Sequence, residues 1–118
     1  MRRILTALMV AAALAATTPA TPAAAQGSLT QGQVRSMLVT ALQLELLARE
    51  CDFFMTGPQR VAVAKIRDSA AAALEMGTEQ VGSLRAELGD RLRPQRDQVC
   101  LQDEALFRQT LDALTAAQ

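Results

Sequence analysis

The apolar residues between Val34 and Met55 recur at helical spacing and cover most of the circumference of the helix they predict. Glu45 and Arg49 lie four residues apart in the order that stabilises a helix, and they mark its narrow polar strip. A helix that is apolar on nearly all sides is normally buried among other helices. The pattern therefore predicts a long central helix over Val34–Met55, with the rest of the chain packed around it.

Three further segments carry an apolar stripe on one side only. The Thr-Gly-Pro sequence at residues 56–58 is expected to end the first helix and begin the second, because glycine is favoured past a helix end and proline in a first turn. No run alternates as a strand does. The sequence therefore predicts an all-α fold, a small antiparallel bundle of about four helices with short connections. The later helices are expected over Gln59–Met76, from Thr78 to the region of Gly89–Pro94, and from Pro94 or Gln95 to Thr115.

The N-terminus has the three parts of a secretory signal peptide. Arg2 and Arg3 precede an uncharged apolar run, Ile4–Ala16, and small residues follow at positions 23–25. The alternative is a membrane anchor, but the run is shorter than the roughly 18–20 residues that span a bilayer. We expect residues 1–25 to be cleaved and residues 26–118 to form a single helical domain. The mature protein is then periplasmic or secreted, with no stable membrane anchor.

Cys51 and Cys100 are the only cysteines in the chain. In a small exported protein, two cysteines indicate a disulfide, and only one pairing is possible within the chain. The bond would link the end of the first helix to the beginning of the last. Two buried free thiols, or a bridge between two chains, are the alternatives.

Charge and composition exclude several classes of protein. The chain has 12 basic and 12 acidic residues, so removal of Arg2 and Arg3 leaves a net charge of −2, which does not favour nucleic acid. Histidine is absent, so the usual nucleophilic pairs and the commonest zinc and haem ligands are missing. Lys65 and Ser69 are formally spaced for a dyad, but such spacing is common on solvated helix faces. We expect no enzyme, no metal and no cofactor.

Two pairs of neighbouring apolar residues are the candidate partner-binding residues. Phe53 and Phe54 end the predicted central helix beside Cys51, and adjacent residues on a helix cannot both face inward. The same reasoning applies to Leu46 and Leu47. One member of each pair is therefore expected to be exposed and available to a protein partner or to a second copy of the chain. The predicted function is binding or assembly rather than catalysis.

A resemblance to a known family covers about half of the chain. Cys51 is followed by Asp52 and Phe53, and Cys100 about fifty residues later is followed by Gln102, Asp103 and Phe107 on the last predicted helix. In these features the chain resembles the small periplasmic acid-stress chaperones of the HdeA type. The resemblance implies a helical dimer at neutral pH that dissociates in acid and holds unfolding client proteins on exposed apolar surface. Acid-stress chaperone activity is thus the alternative function.

Overall fold

Helices account for most of the chain in a computed structural model, which describes residues 29–116. The predicted signal peptide, residues 1–25, lies outside the described residues. The chain divides into two units, residues 1–30 and residues 31–118, and the helices of the described residues belong to the second. No strand occurs between residues 29 and 116. The helices are α1 (Gln31–Glu50), α2 (Gly57–Ala73), α3 (Thr78–Leu92), α4 (Arg96–Gln102) and α5 (Glu104–Ala116), with a 3₁₀ turn at Arg93–Gln95 between α3 and α4.

The predicted last helix is interrupted at one residue, Asp103, which separates α4 from α5. Its amide donates to the Val99 carbonyl at 2.8 Å, and its own carbonyl accepts from the Phe107 amide at 2.8 Å. Its backbone angles, φ −102° and ψ 9°, lie outside the helical region. With α4 and α5 counted as one interrupted helix, the all-α prediction of about four helices is confirmed.

The first helix ends five residues earlier than predicted. The Cys51 amide still donates to the Leu47 carbonyl at 2.8 Å, but Asp52 adopts a left-handed conformation with φ 55°. Aspartate tolerates this conformation better than most residues, and it cannot continue a right-handed helix. Phe53 and Phe54 therefore lie in a loop, not on the helix as expected.

Both ends of α2 also differ from the prediction. Thr56 caps the N-terminus: its Oγ1 accepts from the Gln59 amide at 3.2 Å, and Gln59 Oε1 accepts from the Thr56 amide at 2.9 Å. At the other end Glu75, with φ 56°, takes the left-handed position that glycine normally fills. The Glu75 amide donates to the Ala72 carbonyl at 3.0 Å, and the Met76 amide donates to the Ala71 carbonyl at 2.9 Å. Gly77, expected to close this helix, instead precedes α3.

The core forms two clusters, and α1 contributes to both, as expected of a central helix. Phe107 and Leu111 of α5 complete the first, and Leu84 and Leu88 of α3 complete the second. Helix α2 supplies residues to both clusters and packs most extensively against α1. The buried members of the first are Ala41, Leu44, Phe53, Met55, Val63, Ile66, Phe107 and Leu111, and those of the second are Leu38, Leu42, Leu46, Ala70, Ala71, Leu84 and Leu88.

The polar side of α1 is fixed by α2. Glu45 pairs with Arg67 at 2.6 Å, not with Arg49 as the spacing on one helix suggested. Arg67 also bonds Asp68 at 3.0 Å. The hydrogen bonds to Asp68 and Glu45 raise the pKa of the Arg67 guanidinium above its ordinary value, although partial burial opposes the shift. A contact between helices has replaced the predicted contact within one helix.

Candidate functional site

A disulfide joins the segment after α1 to α4. Cys51 and Cys100 are bonded, with their Cα atoms 5.2 Å apart, so the predicted disulfide is confirmed. No cysteine of the described chain remains free. Because the two residues are 49 positions apart in sequence, the bond fixes two distant segments to one another at one end of the bundle.

Two arginines of the C-terminal helices hold the backbone beside this disulfide. Arg96 donates from Nε and Nη2 to the Glu50 carbonyl, at 3.2 and 2.9 Å, and its Nε lies 3.6 Å from the Glu50 carboxylate. Arg108 donates to the Phe54 carbonyl and lies over the Phe107 ring. The last carbonyls of a helix lack intrahelical donors, so Arg96 stabilises the end of α1, whereas Arg108 holds the loop that follows it. The loop over residues 51–56 is therefore constrained from both sides.

The two phenylalanines of this loop point in opposite directions. Phe53 is 8% exposed, and its ring centroid lies 5.0 Å from that of Phe107 at an angle of 50°. Phe54 is 67% exposed. Met55, the next residue, is again buried. An extended segment turns successive side chains to opposite faces, which accounts for the alternation.

Leu46 and Leu47 also differ in burial. Leu46 is 5% exposed and belongs to the core cluster with Leu84 and Leu88, whereas Leu47 is only partly buried. Of the four candidate partner-binding residues, Leu46 and Phe53 are thus core residues of the single chain. Phe54 is exposed, and Leu47 is accessible in part.

A second exposed apolar residue beside the disulfide escaped the sequence analysis. Leu101, next to Cys100, is 86% exposed. Its position could have indicated this exposure. Neighbouring residues on a helix point about 100° apart, so a residue next to an inward-facing cysteine is turned away from the core. Phe54 is three residues from Cys51, and Leu101 is next to Cys100. With the cysteine Cα atoms 5.2 Å apart, the Cα atoms of Phe54 and Leu101 can be at most about 20 Å apart. We call Phe54, Leu101 and the disulfide between their segments the corner surface.

A groove opens elsewhere on the bundle, between α1, α3 and the α4–α5 pair. Its volume is about 380 Å³. Thr40, Gln43, Gln95 and Thr110 contribute polar groups, and Arg91 and Asp103 are its charged residues. The apolar lining includes Leu47, Leu88, Leu92, Val99, Leu106 and Phe107. Phe54 and Leu101 do not line this groove, so it is distinct from the corner surface.

The polar side chains of α2 and the adjoining face of α1 do not form a comparable site. Lys65 and Ser69 are exposed on α2 and line neither the groove nor the clefts beside Arg67 and Arg49. Arg49 and Arg60 line a shallow cleft between α1 and α2, and neither forms an ion pair within residues 29–116. Two exposed arginines do not by themselves define a site.

The described residues contain neither a cluster of metal ligands nor a membrane-spanning helix. Between residues 29 and 116, no three histidine, cysteine, aspartate or glutamate side chains are grouped as a metal ion requires. No helix in that range combines the length and apolarity needed to cross a membrane. Comparison with known protein families, curated proteins and solved structures gives no match for this chain. The functional argument therefore rests on the corner surface and the groove.

Proposed function

We propose that this chain is an exported protein, periplasmic or secreted, that acts by binding rather than catalysis, and that the corner surface binds a second copy of the chain. The observation that carries the proposal is the exposure of Phe54, 67%, on a loop held by a disulfide and by Arg108. Because the backbone of this loop is already held, little backbone entropy is lost when a partner covers Phe54. Covering it would stabilise a complex by roughly 2–3 kcal/mol, from the apolar area removed from water.

The charges beside the corner surface favour a second copy over a strongly charged partner. Arg96 lies beside Glu50, and Arg108 beside Glu104, so each positive charge there has a negative neighbour. Asp52, exposed on the same loop without an ion-pair partner among residues 29–116, adds a single negative charge, so two copies would meet there with little net repulsion. A symmetric dimer requires such a self-complementary surface. A surface of one sign would instead favour a partner of the opposite sign.

The test uses protein expressed from the full chain and purified after export, with two matched variants. Val61 on α2 is 68% exposed, almost the same as Phe54, but is not one of the residues that define the corner surface. Phe54→Asp is expected to be monomeric by sedimentation equilibrium, whereas the unaltered protein and Val61→Asp form the same dimer. A monomeric unaltered protein, or a Phe54→Asp variant that dimerises as well as Val61→Asp, would contradict the proposal.

Acid-stress chaperone activity is the second candidate, and the ion pairs beside the corner surface support it. In strong acid the carboxylates of the chain as a whole lose their negative charge, whereas Arg96 and Arg108 beside the corner surface remain positively charged. Two copies in contact would then repel each other and expose Phe54 and its neighbours to client proteins. The test is the aggregation of an acid-sensitive client at pH 2, with and without the protein. A protein that remains dimeric at that pH and leaves client aggregation unchanged excludes this candidate.

A further inference from the structure

Asp103, the residue that interrupts the last helix, lines the groove between α1, α3 and α5. It is only partly exposed, and its carboxylate has no hydrogen-bond or ion-pair partner among residues 29–116. Its backbone, in contrast, is bonded on both sides. A carboxylate without a protein partner can accept a hydrogen bond from a cationic donor, and such a charge-assisted bond is shorter and stronger than a neutral one.

The other charged residue of the groove, Arg91, already has an ion-pair partner. Arg91 pairs with Glu87 at 2.7 Å, and the Arg91 and Glu87 side chains are 71% and 55% exposed. Water and salt screen an exposed pair of this kind. The unpaired charge within the groove is therefore that of Asp103, and the groove as a whole favours a positively charged ligand over a negatively charged one.

The groove is too small to enclose a helix. Three turns of helix with a diameter of about 10 Å fill roughly 1,200 Å³, about three times the volume available. The observed 380 Å³ corresponds to about 13 water volumes, which suits a molecule of roughly a dozen non-hydrogen atoms. Pockets for small ligands begin at about this size and are mostly apolar with a few polar groups.

We propose that this groove binds a small amphipathic amine. Its alkyl or aryl portion packs on Leu47, Leu92, Val99 and Leu106, and its ammonium group donates to the Asp103 carboxylate. Leu106 is 59% exposed, so the ligand would cover apolar surface that the folded chain leaves in water. The site is separate from the corner surface and does not depend on dimerisation there.

The experiment titrates the protein with octylammonium chloride and, separately, with sodium octanoate, while backbone amide NMR shifts report affinity and location. The two probes share the same chain length and differ in the sign of the head group. Octylammonium is expected to bind roughly five- to tenfold more tightly than octanoate at neutral pH, as expected for a charge-assisted hydrogen bond. The amides of Leu47, Leu92 and Val99 are expected to shift with saturation.

Three variants separate the contributions of charge and apolar contact. Asp103→Asn is expected to abolish the preference for octylammonium, whereas Asp97→Asn, an exposed aspartate on α4 outside the groove, retains it. Leu106→Ala truncates an exposed side chain and so tests the site even if Asp103→Asn fails to fold. It is expected to weaken both probes roughly threefold through loss of apolar contact and to leave their ratio unchanged.

Several results would overturn the proposal. These are the absence of saturable shifts in the groove, equal or tighter binding of octanoate, and a preference for octylammonium that survives in Asp103→Asn. Shifts centred on Phe54 and Leu101 would assign the probe to the corner surface. Groove shifts that change on dilution of the protein alone would show that a second copy occupies the groove.

Discussion

Removal of the disulfide is the sharpest test of what holds the two ends of this chain together. Cys51 and Cys100 are separated by 49 residues, so the bond closes a loop of about 50 residues in the unfolded chain. In the loop-entropy model, a loop of that length corresponds to about 4 kcal/mol of stabilisation. A domain of this size has a total free energy of unfolding of about 4–13 kcal/mol. The double variant Cys51→Ala/Cys100→Ala should therefore lose a third or more of its stability.

The folded bundle should nevertheless survive this change. Arg96 still bonds the Glu50 carbonyl, Arg108 still bonds the Phe54 carbonyl, and Phe53 still packs on Phe107. The effect should thus appear mainly in the unfolded state. Because the uncrosslinked unfolded chain exposes more surface, the denaturant m-value should rise as the midpoint falls.

The assay is equilibrium unfolding in urea followed by circular dichroism. The oxidised protein, the oxidised protein with reductant, and the double variant are compared. The reduced protein and the variant should agree, which separates loss of the bond from any effect of alanine itself. A loss of less than about 1 kcal/mol, with an unchanged m-value, would refute the entropic reasoning.

Three further predictions concern α2 and are checked by the same unfolding assay. Arg67→Met removes the cation paired with the mostly buried Glu45, whose Oε1 already has no partner, and should lower stability by about 1.5–3 kcal/mol. The control Asp68→Ala removes a partner of Arg67 that is 71% exposed and should change stability by less than about 0.5 kcal/mol. Equal losses in the two variants would contradict this account. Glu75→Gly should stabilise the protein by roughly 0.5–1 kcal/mol, because glycine adopts the left-handed conformation without strain; a loss would contradict this. Thr56→Ala removes the N-cap hydrogen bond and should cost about 1 kcal/mol, and an unchanged midpoint would refute that role.

Local sequence signals predicted the helical segments well. Helical periodicity identified α1 as the central helix, and it lies between two core clusters. The sequence did not predict that Thr56 caps the beginning of α2, nor that left-handed residues follow the ends of both helices, Asp52 after α1 and Glu75 after α2. Glycine and proline positions were used for that purpose, but the chain places aspartate and glutamate in the left-handed positions. The left-handed conformation costs a residue other than glycine about 1 kcal/mol, and contacts elsewhere in the fold can offset that cost.

The candidate site was predicted only in part. The sequence indicated that one of Phe53 and Phe54 would be exposed, but the choice between them depends on Phe107, which lies more than fifty residues away. The Glu45–Arg49 pair was wrong for a similar reason, because Arg67 of α2 lies closer to Glu45 in the folded chain. Export, dimerisation and acid response stay predictions.

By itself the sequence determined the all-α class, the central place of α1 and the single possible intrachain disulfide. These follow from the spacing of apolar residues over a few turns and from the number of cysteines, both of which are local or countable. Only the tertiary structure decided that Phe54 and Leu101 are exposed beside the disulfide and that Asp103 lines an apolar groove. Those features depend on how α1, α3 and α5 approach one another, and that approach is set by the sum of many weak contacts between residues distant in sequence.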